Sequence, residues 1–179
     1  MTWAGGEIGL GSAHEGIMGL EVATRVGLAA KDYFKVAEDV VFEIGLTPNR
    51  ADAASHIGVA RDLAALLNTH YNNETPVKLT IPSIQSFKES VTPTPIQVEV
   101  ADIAACPRYS GLTITGITIK PSPNWLQNRL QSIGLKPVNN IVDITNYLLH
   151  ECGQPLHAFD AEQIRGGKVI VRKMPESTR

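Results

Sequence analysis

The chain has 179 residues, of which 43% are hydrophobic and 19% charged, with a formal net charge of −2. That balance is that of a globular protein able to bury one good core or two small ones, and it argues against extended disorder. No apolar run approaches the roughly 20 residues needed to cross a bilayer, and the first residues hold glycines and acids rather than a basic start, so a soluble, cytoplasmic protein is expected. The slight negative charge supplies no general attraction for nucleic acid, so any RNA contact must be local or come from parts outside this chain.

The stretch from Met1 to about Leu20 is glycine-rich and without a clear period. Val40 to Ile44 is a strand candidate, and Thr47-Pro48 puts a capping hydroxyl before a proline, so the chain should turn sharply there. Asn49, Arg50 and Asp52 crowd that turn, and an arginine and a carboxylate two residues apart are read as knitting local structure. Ser55 is a candidate cap for a helix whose apolar positions are Val59, Leu63, Leu66 and Leu67, with Asn68 as its stop.

Between Asn72 and Pro95 the sequence turns polar, and Pro76, Pro82, Pro93 and Pro95 break any long helix, which reads as an extended linker. Ile96, Val98 and Val100 then alternate with Gln97 and Glu99, as a half-buried strand requires. Leu112 and Ile114 share one parity and Ile117 and Ile119 the other, so a second strand bulged at Gly116 is expected. Ser122 and Pro123 open a helix with the apolar stripe Leu126, Leu130 and Ile133; Gly134 should cap it left-handed, with Leu135 packing back on Leu130. Trp125 is read as packing, and Lys120, Arg129 and Lys136 as a solvated rim.

Residues Ile141 to Asp160, IVDITNYLLHECGQPLHAFD, gather amide, hydroxyl, imidazole and carboxylate groups where a core helix would carry aliphatic ones. Asp143 is expected to cap a short helix that Gly153 ends, which places Thr145 and Asn146 in its first turn. Pro155 forces an extended exit, so Leu156 to Phe159 reads as an edge strand presenting His157 beside the helix start. Free amides, a threonine hydroxyl, an asparagine amide and a histidine make a cradle for an ester or a ribose hydroxyl. Neither a zinc-type spacing nor a catalytic triad is visible. Cys106 and Cys152 lack paired spacing, so two separate thiols are favoured over a disulfide.

Lys168 to Arg172 is a last strand after Gly166-Gly167. The whole reads as α+β: mixed, mainly antiparallel sheets with packed helices, in two incomplete domains joined by a proline-containing linker.

VDITNY followed by GQPLHAFD resembles the editing domain of the bacterial phenylalanyl-tRNA synthetase β subunit. GLGSAHEGIM, the segment LTPNRADAASHIGVARDLAALLN at Leu46 to Asn68, and CPRYSG at Cys106 to Gly111 fit the same family in the same order. The resemblance implies that 1–20 is the tail of an inserted oligonucleotide-binding barrel, 21–75 a segment of the N-terminal core domain, 76–95 a linker and 96–179 the first part of the tRNA-editing domain. Twenty residues cannot supply the roughly five strands of such a barrel, so a fragment of a longer subunit is expected.

In the resembling proteins the Thr-Asn pair, the proline and the histidine line the pocket that hydrolyses tyrosine wrongly joined to the phenylalanine tRNA. Here they are Thr145, Asn146, Pro155 and His157, and no residue is singled out as a firm catalyst. The same resemblance implies an α subunit as partner in an α2β2 tetramer, the phenylalanine tRNA as ligand, and ATP with magnesium for the whole enzyme, neither bound by residues of this fragment. Part of the pocket is expected beyond Arg179, so the fragment alone should neither charge nor edit tRNA. Arg108 and Tyr109 are expected to anchor the entry strand of the editing domain by burial. A non-catalytic subunit-docking or RNA-binding module and a free-standing editing hydrolase are the alternatives, and the N-terminal segments argue against the second.

Overall fold

A computed structural model describes residues 18–35, 39–71, 75–88 and 92–175. The chain divides into two units, Met1–Val40 and Val41–Arg179. Most of the glycine-rich start, including nearly all of the GLGSAHEGIM segment, lies outside the described residues. Among the described residues the first unit contributes one short helix, α1 (Ala30–Tyr33), ending where the rings of Tyr33 and Phe34 meet edge-on at 4.8 Å.

The second unit holds a 3₁₀ turn (Ala51–Ala53), α2 (His56–His70), β1 (Gln97–Val100), α3 (Asn124–Ser132), α4 (Asn140–Cys152), two further 3₁₀ turns (Ala161–Gln163 and Arg165–Gly167) and β2 (Lys168–Val171). Helix and strand together make a mixed α+β arrangement. α2 begins where expected, because the Ser55 hydroxyl accepts the Gly58 N–H and satisfies one of the orphan donors of the first turn. It runs on to His70, past the expected stop. Asn68 instead grips the main chain of Val77, donating to its carbonyl and accepting from its N–H at 2.9 and 2.8 Å.

α3 ends as its sequence dictates. Gly134 turns left-handed at φ 80°, the Leu135 N–H reaches the Leu130 carbonyl and the Gly134 N–H the Gln131 carbonyl, the paired bonds of a Schellman cap. Leu126 and Leu130 are buried at its inner face.

The sheet departs from expectation. β1 and β2 pair in parallel, Gln97 opposite Lys168 through Val100 opposite Val171, and theirs is the one strand pairing among the described residues. The expected antiparallel sheets are therefore corrected. The chain returns to β1 only after passing through α3 and α4, and a connection of that length permits the parallel pairing that a tight hairpin cannot. Glu99 and the ammonium of Lys168 form an ion pair across the two strands.

The other expected strands are not formed. Residues Val40 to Ile44, Leu112 to Ile119 and Leu156 to Phe159 run without a ladder. Alternating apolar residues favour extended backbone, but a strand exists only where a neighbour takes up its N–H and C=O groups. Gly116 takes a positive φ of 72°, so it marks a bend rather than a bulge in a paired strand. Phe42, Leu112, Ile114 and Ile119 are all exposed.

Candidate functional site

The polar stretch that stands out in the sequence folds as α4 and the irregular segment leaving it. Its first residue is four earlier than expected, because Asn139, not Asp143, is the cap: the Asn139 Oδ1 accepts the N–H groups of Ile141 and Val142, both at 3.0 Å. Asn140 then pins the helix start to the chain before α3. Its N–H donates to the Lys120 carbonyl at 2.9 Å, its amide donates to the Thr118 carbonyl at 3.1 Å, and its Oδ1 accepts the Lys120 N–H at 3.2 Å.

Asp143 lies inside the first turn and is fully buried. Its two oxygens accept from the Ser122 hydroxyl at 2.5 Å and the Val138 N–H at 2.8 Å. The Ser122 carbonyl takes the Gln127 side-chain amide at 2.5 Å, so the entrance of α3 and the first turn of α4 form one hydrogen-bonded unit. A buried carboxylate must have such partners, since desolvation of a charged group is costly without them.

This frame moves two expected site residues. Thr145 and Asn146 occupy the second turn of α4, away from the free amides of the helix start, so the cradle for an ester or a ribose hydroxyl expected at that N-terminus is not built from them. Both are half-buried. The Thr145 hydroxyl donates to the Val142 carbonyl at 2.7 Å, which leaves its oxygen able to accept from a ligand. Pro155 and His157 are exposed in the segment after Gly153, whose φ of 77° ends α4 in the left-handed conformation expected. His157 lies four residues past Gly153, in a segment without strand pairing.

Next to Asn146, Tyr147 meets Trp125 of α3 edge-on, ring centroids 5.7 Å apart, and donates to Glu151 at 3.3 Å. Burial, with help from the Glu151 charge, raises the Tyr147 phenol above its ordinary value. Trp125 is 58% exposed, so it lies over the joint between α3 and α4 instead of filling a core.

The TPNRAD turn resolves as structure. Arg50 holds Asp52 through two bonds at 3.0 and 3.2 Å and Asp62 at 2.5 Å, while Arg61 reaches both the carboxylate and the carbonyl of Asp52. Thr47 donates to Asn49 at 2.6 Å within the same turn. The Arg50 hydrogen bonds hold the Asp52 carboxyl below the usual carboxylate range and raise Arg50 itself. Arg108 and Tyr109 are exposed, which corrects their expected burial, and both cysteines are free thiols.

The first residue of α2 touches the last turn of α4. The His56 Nδ1 lies 2.9 Å from the His150 carbonyl, and a Cβ placed on Gly153 would stand 3.4 Å from that of Ser55. Sequence reading gave no sign of this contact, which joins residues 94 apart. A separate cavity of about 310 Å³, lined by Leu20, Thr24, Tyr33 and Phe34 among others, lies in the first unit and contains none of the four expected site residues. Among the described residues no group of three or more His, Cys, Asp or Glu side chains could hold a metal ion.

Residues 105–179 match the family model described as the B3/4 domain. Over 178 residues the chain is 52% identical to the phenylalanine–tRNA ligase beta subunit of Bacteroides fragilis, covering 99% of this chain and 21% of that protein. The chain is thus a relative of one segment of phenylalanine–tRNA ligase beta subunits. The beta subunit of Porphyromonas gingivalis is 51% identical over 172 residues, covering 96% of this chain and 20% of that protein, and that of Salinibacter ruber 43% over 182 residues, covering 99% and 21%. The chain therefore spans about a fifth of the length of the beta subunits it matches.

Proposed function

We propose that this chain serves as part of the β subunit of a phenylalanine–tRNA ligase, an aminoacyl-tRNA synthetase of protein biosynthesis. In this reading it works with a catalytic α subunit in an α2β2 enzyme of the cytoplasm, and residues 96–179 begin the domain that proofreads mischarged tRNA. The preceding segments, 1–20, 21–75 and 76–95, are assigned to the tail of the oligonucleotide-binding barrel, the core domain and a linker. The observation that carries the reading is the unbroken likeness over 99% of the chain to proteins of that name. No helix is long and apolar enough to cross a membrane among the described residues.

The chemistry asked of the site is modest. An aminoacyl ester is already activated, so a positioned water and a few hydrogen bonds suffice without a strong nucleophile. Thr145, Asn146 and His157 offer a hydroxyl, an amide and an imidazole for that purpose, and Pro155 restricts the backbone two residues before the histidine. A site that hydrogen-bonds a substrate hydroxyl rejects the analogue lacking it by roughly 10⁴ to 10⁵, which would accept tyrosine and spare phenylalanine. ATP and magnesium serve the charging reaction, and this reading assigns both to the α subunit.

The test is hydrolysis of tyrosyl-tRNA for phenylalanine by the intact α2β2 enzyme, with and without His157→Ala and with the phenylalanyl ester as control. Selective loss of tyrosyl-ester hydrolysis supports proofreading at His157. Unchanged hydrolysis removes His157 from the site. The exposed row Leu112, Ile114, Ile117 and Ile119 favours a second reading, a subunit-docking module, and an enzyme with no hydrolysis of either ester before mutation would favour it.

A further inference from the structure

We propose that His56 is a positioning residue for the segment that carries Pro155 and His157. The inference rests on the proofreading reading of that segment and assigns a part in it to the start of α2, which that reading leaves without one.

An α-helix ends with four carbonyls that have no partner inside the helix, and in α4 these belong to Leu149, His150, Glu151 and Cys152. The Gly153 N–H takes the first. The second is taken by the ring of His56 at 2.9 Å. A carbonyl only accepts, so the proton of that bond sits on the His56 Nδ1 and the imidazole is held in one tautomer.

His56 is also the first residue of α2, so the positive end of one helix macrodipole stands against the negative end of another. Ser55, the α2 cap, lies against Gly153 from the same side. The end of α4 is therefore fixed by a cap drawn from a distant part of the chain.

That end decides where His157 goes. Gly153 makes the left-handed turn, Pro155 locks its own φ, and only Gln154 and Leu156 separate these constraints from the histidine. A shift of the helix end is passed along with little slack, while Thr145 and Asn146 stay fixed by the Ser122 and Asn140 contacts at the other end. His56 thus sets the position of one half of the site relative to the other.

The experiment uses the intact α2β2 enzyme carrying His56→Ala, His56→Gln, His157→Ala and the double variant His56→Ala/His157→Ala. His56→Ala is expected to lower the turnover of tyrosyl-tRNA hydrolysis roughly 10- to 100-fold with KM and the rate of phenylalanine charging unchanged, the scale of a misplaced catalytic geometry. Glutamine keeps an N–H for the His150 carbonyl, so His56→Gln should restore most of the rate. The double variant should lose no more than His157→Ala alone, and amide exchange at Gly153 and Gln154 of the chain should quicken in His56→Ala.

Full hydrolysis by His56→Ala beside a defective His157→Ala overturns the inference and leaves proofreading standing. So does an equal fall in charging and hydrolysis, which would mean a general loss of structure. If His157→Ala itself hydrolyses normally, the proofreading reading fails and this inference with it.

Discussion

The hydroxyl of Ser122 donates to the carboxylate of Asp143 at 2.5 Å, and both side chains are buried where the entrance of α3 meets the first turn of α4. Asp143→Ala leaves that hydroxyl and the Val138 N–H without partners and empties the space between the helices. A loss of about 2–4 kcal/mol in urea unfolding is expected, against a smaller loss for Asp143→Asn, whose amide can still pair with both groups. Equal stability of the two variants would contradict this account.

Gly58→Ala tests close approach. Alanine is the better helix former by roughly 1 kcal/mol, so an open site would gain stability. Here the added Cβ would stand 2.3 Å from the Asp52 carbonyl oxygen and 2.7 Å from the Ala53 Cα, both main-chain atoms of the 3₁₀ turn. The substitution should lower the melting temperature and loosen the turn, visible as faster amide exchange at Ala53 and Ala54.

Asn139→Ala removes the acceptor for two amides at the start of α4, and Ser55→Ala the acceptor for one at the start of α2. Each should cost about 1 kcal/mol, with the Asn139 variant at the upper end of the range for caps. Restoring the cap with serine or aspartate at position 139 should recover most of the loss.

The Asp52 carboxyl is held below its ordinary value chiefly by its hydrogen bond to Arg50. A carboxylate whose folded pKa is depressed adds stability above its unfolded pKa of about 3.9, and that contribution is lost as the pH falls through the lower folded value. A carboxyl titration followed by NMR should place Asp52 below that reference, and Arg50→Gln should bring it back up. Both groups are exposed, so salt should shrink the difference.

The parts of this fold that were legible in sequence are those decided within a few residues. A serine before an apolar period, a glycine followed by leucine, and a glycine ahead of proline gave the Ser55 cap, the Gly134 cap and the left-handed Gly153. The start of α4 is not decided locally, because Asn139 and Asp143 carry equivalent acceptors one turn apart. What separates them is Ser122, which draws Asp143 inward from across the chain, and no local pattern records that.

Alternation likewise marked β1 and the stretch from Leu112 to Ile119 alike, although only the first acquires a partner among the described residues. Parallel pairing with β2 requires the long connection through α3 and α4, which neither strand's own residues record. For the candidate site, the polar residue types were legible, while the placement of Thr145 and Asn146 in the second helical turn depended on that same cap.

The parallel register of β1 and β2 also sets an order of events during synthesis. β1 leaves the ribosome with its edge unsatisfied and must wait until everything from Ala101 to Gly167, α3 and α4 included, has followed it. The helices can form on their own sub-microsecond scale, but closing so long a loop is slow, and an open edge invites pairing with another chain in the interval. A nascent chain halted before Lys168 should therefore hold its helices and still be prone to aggregate, and extension through Val171 should be the step that protects it.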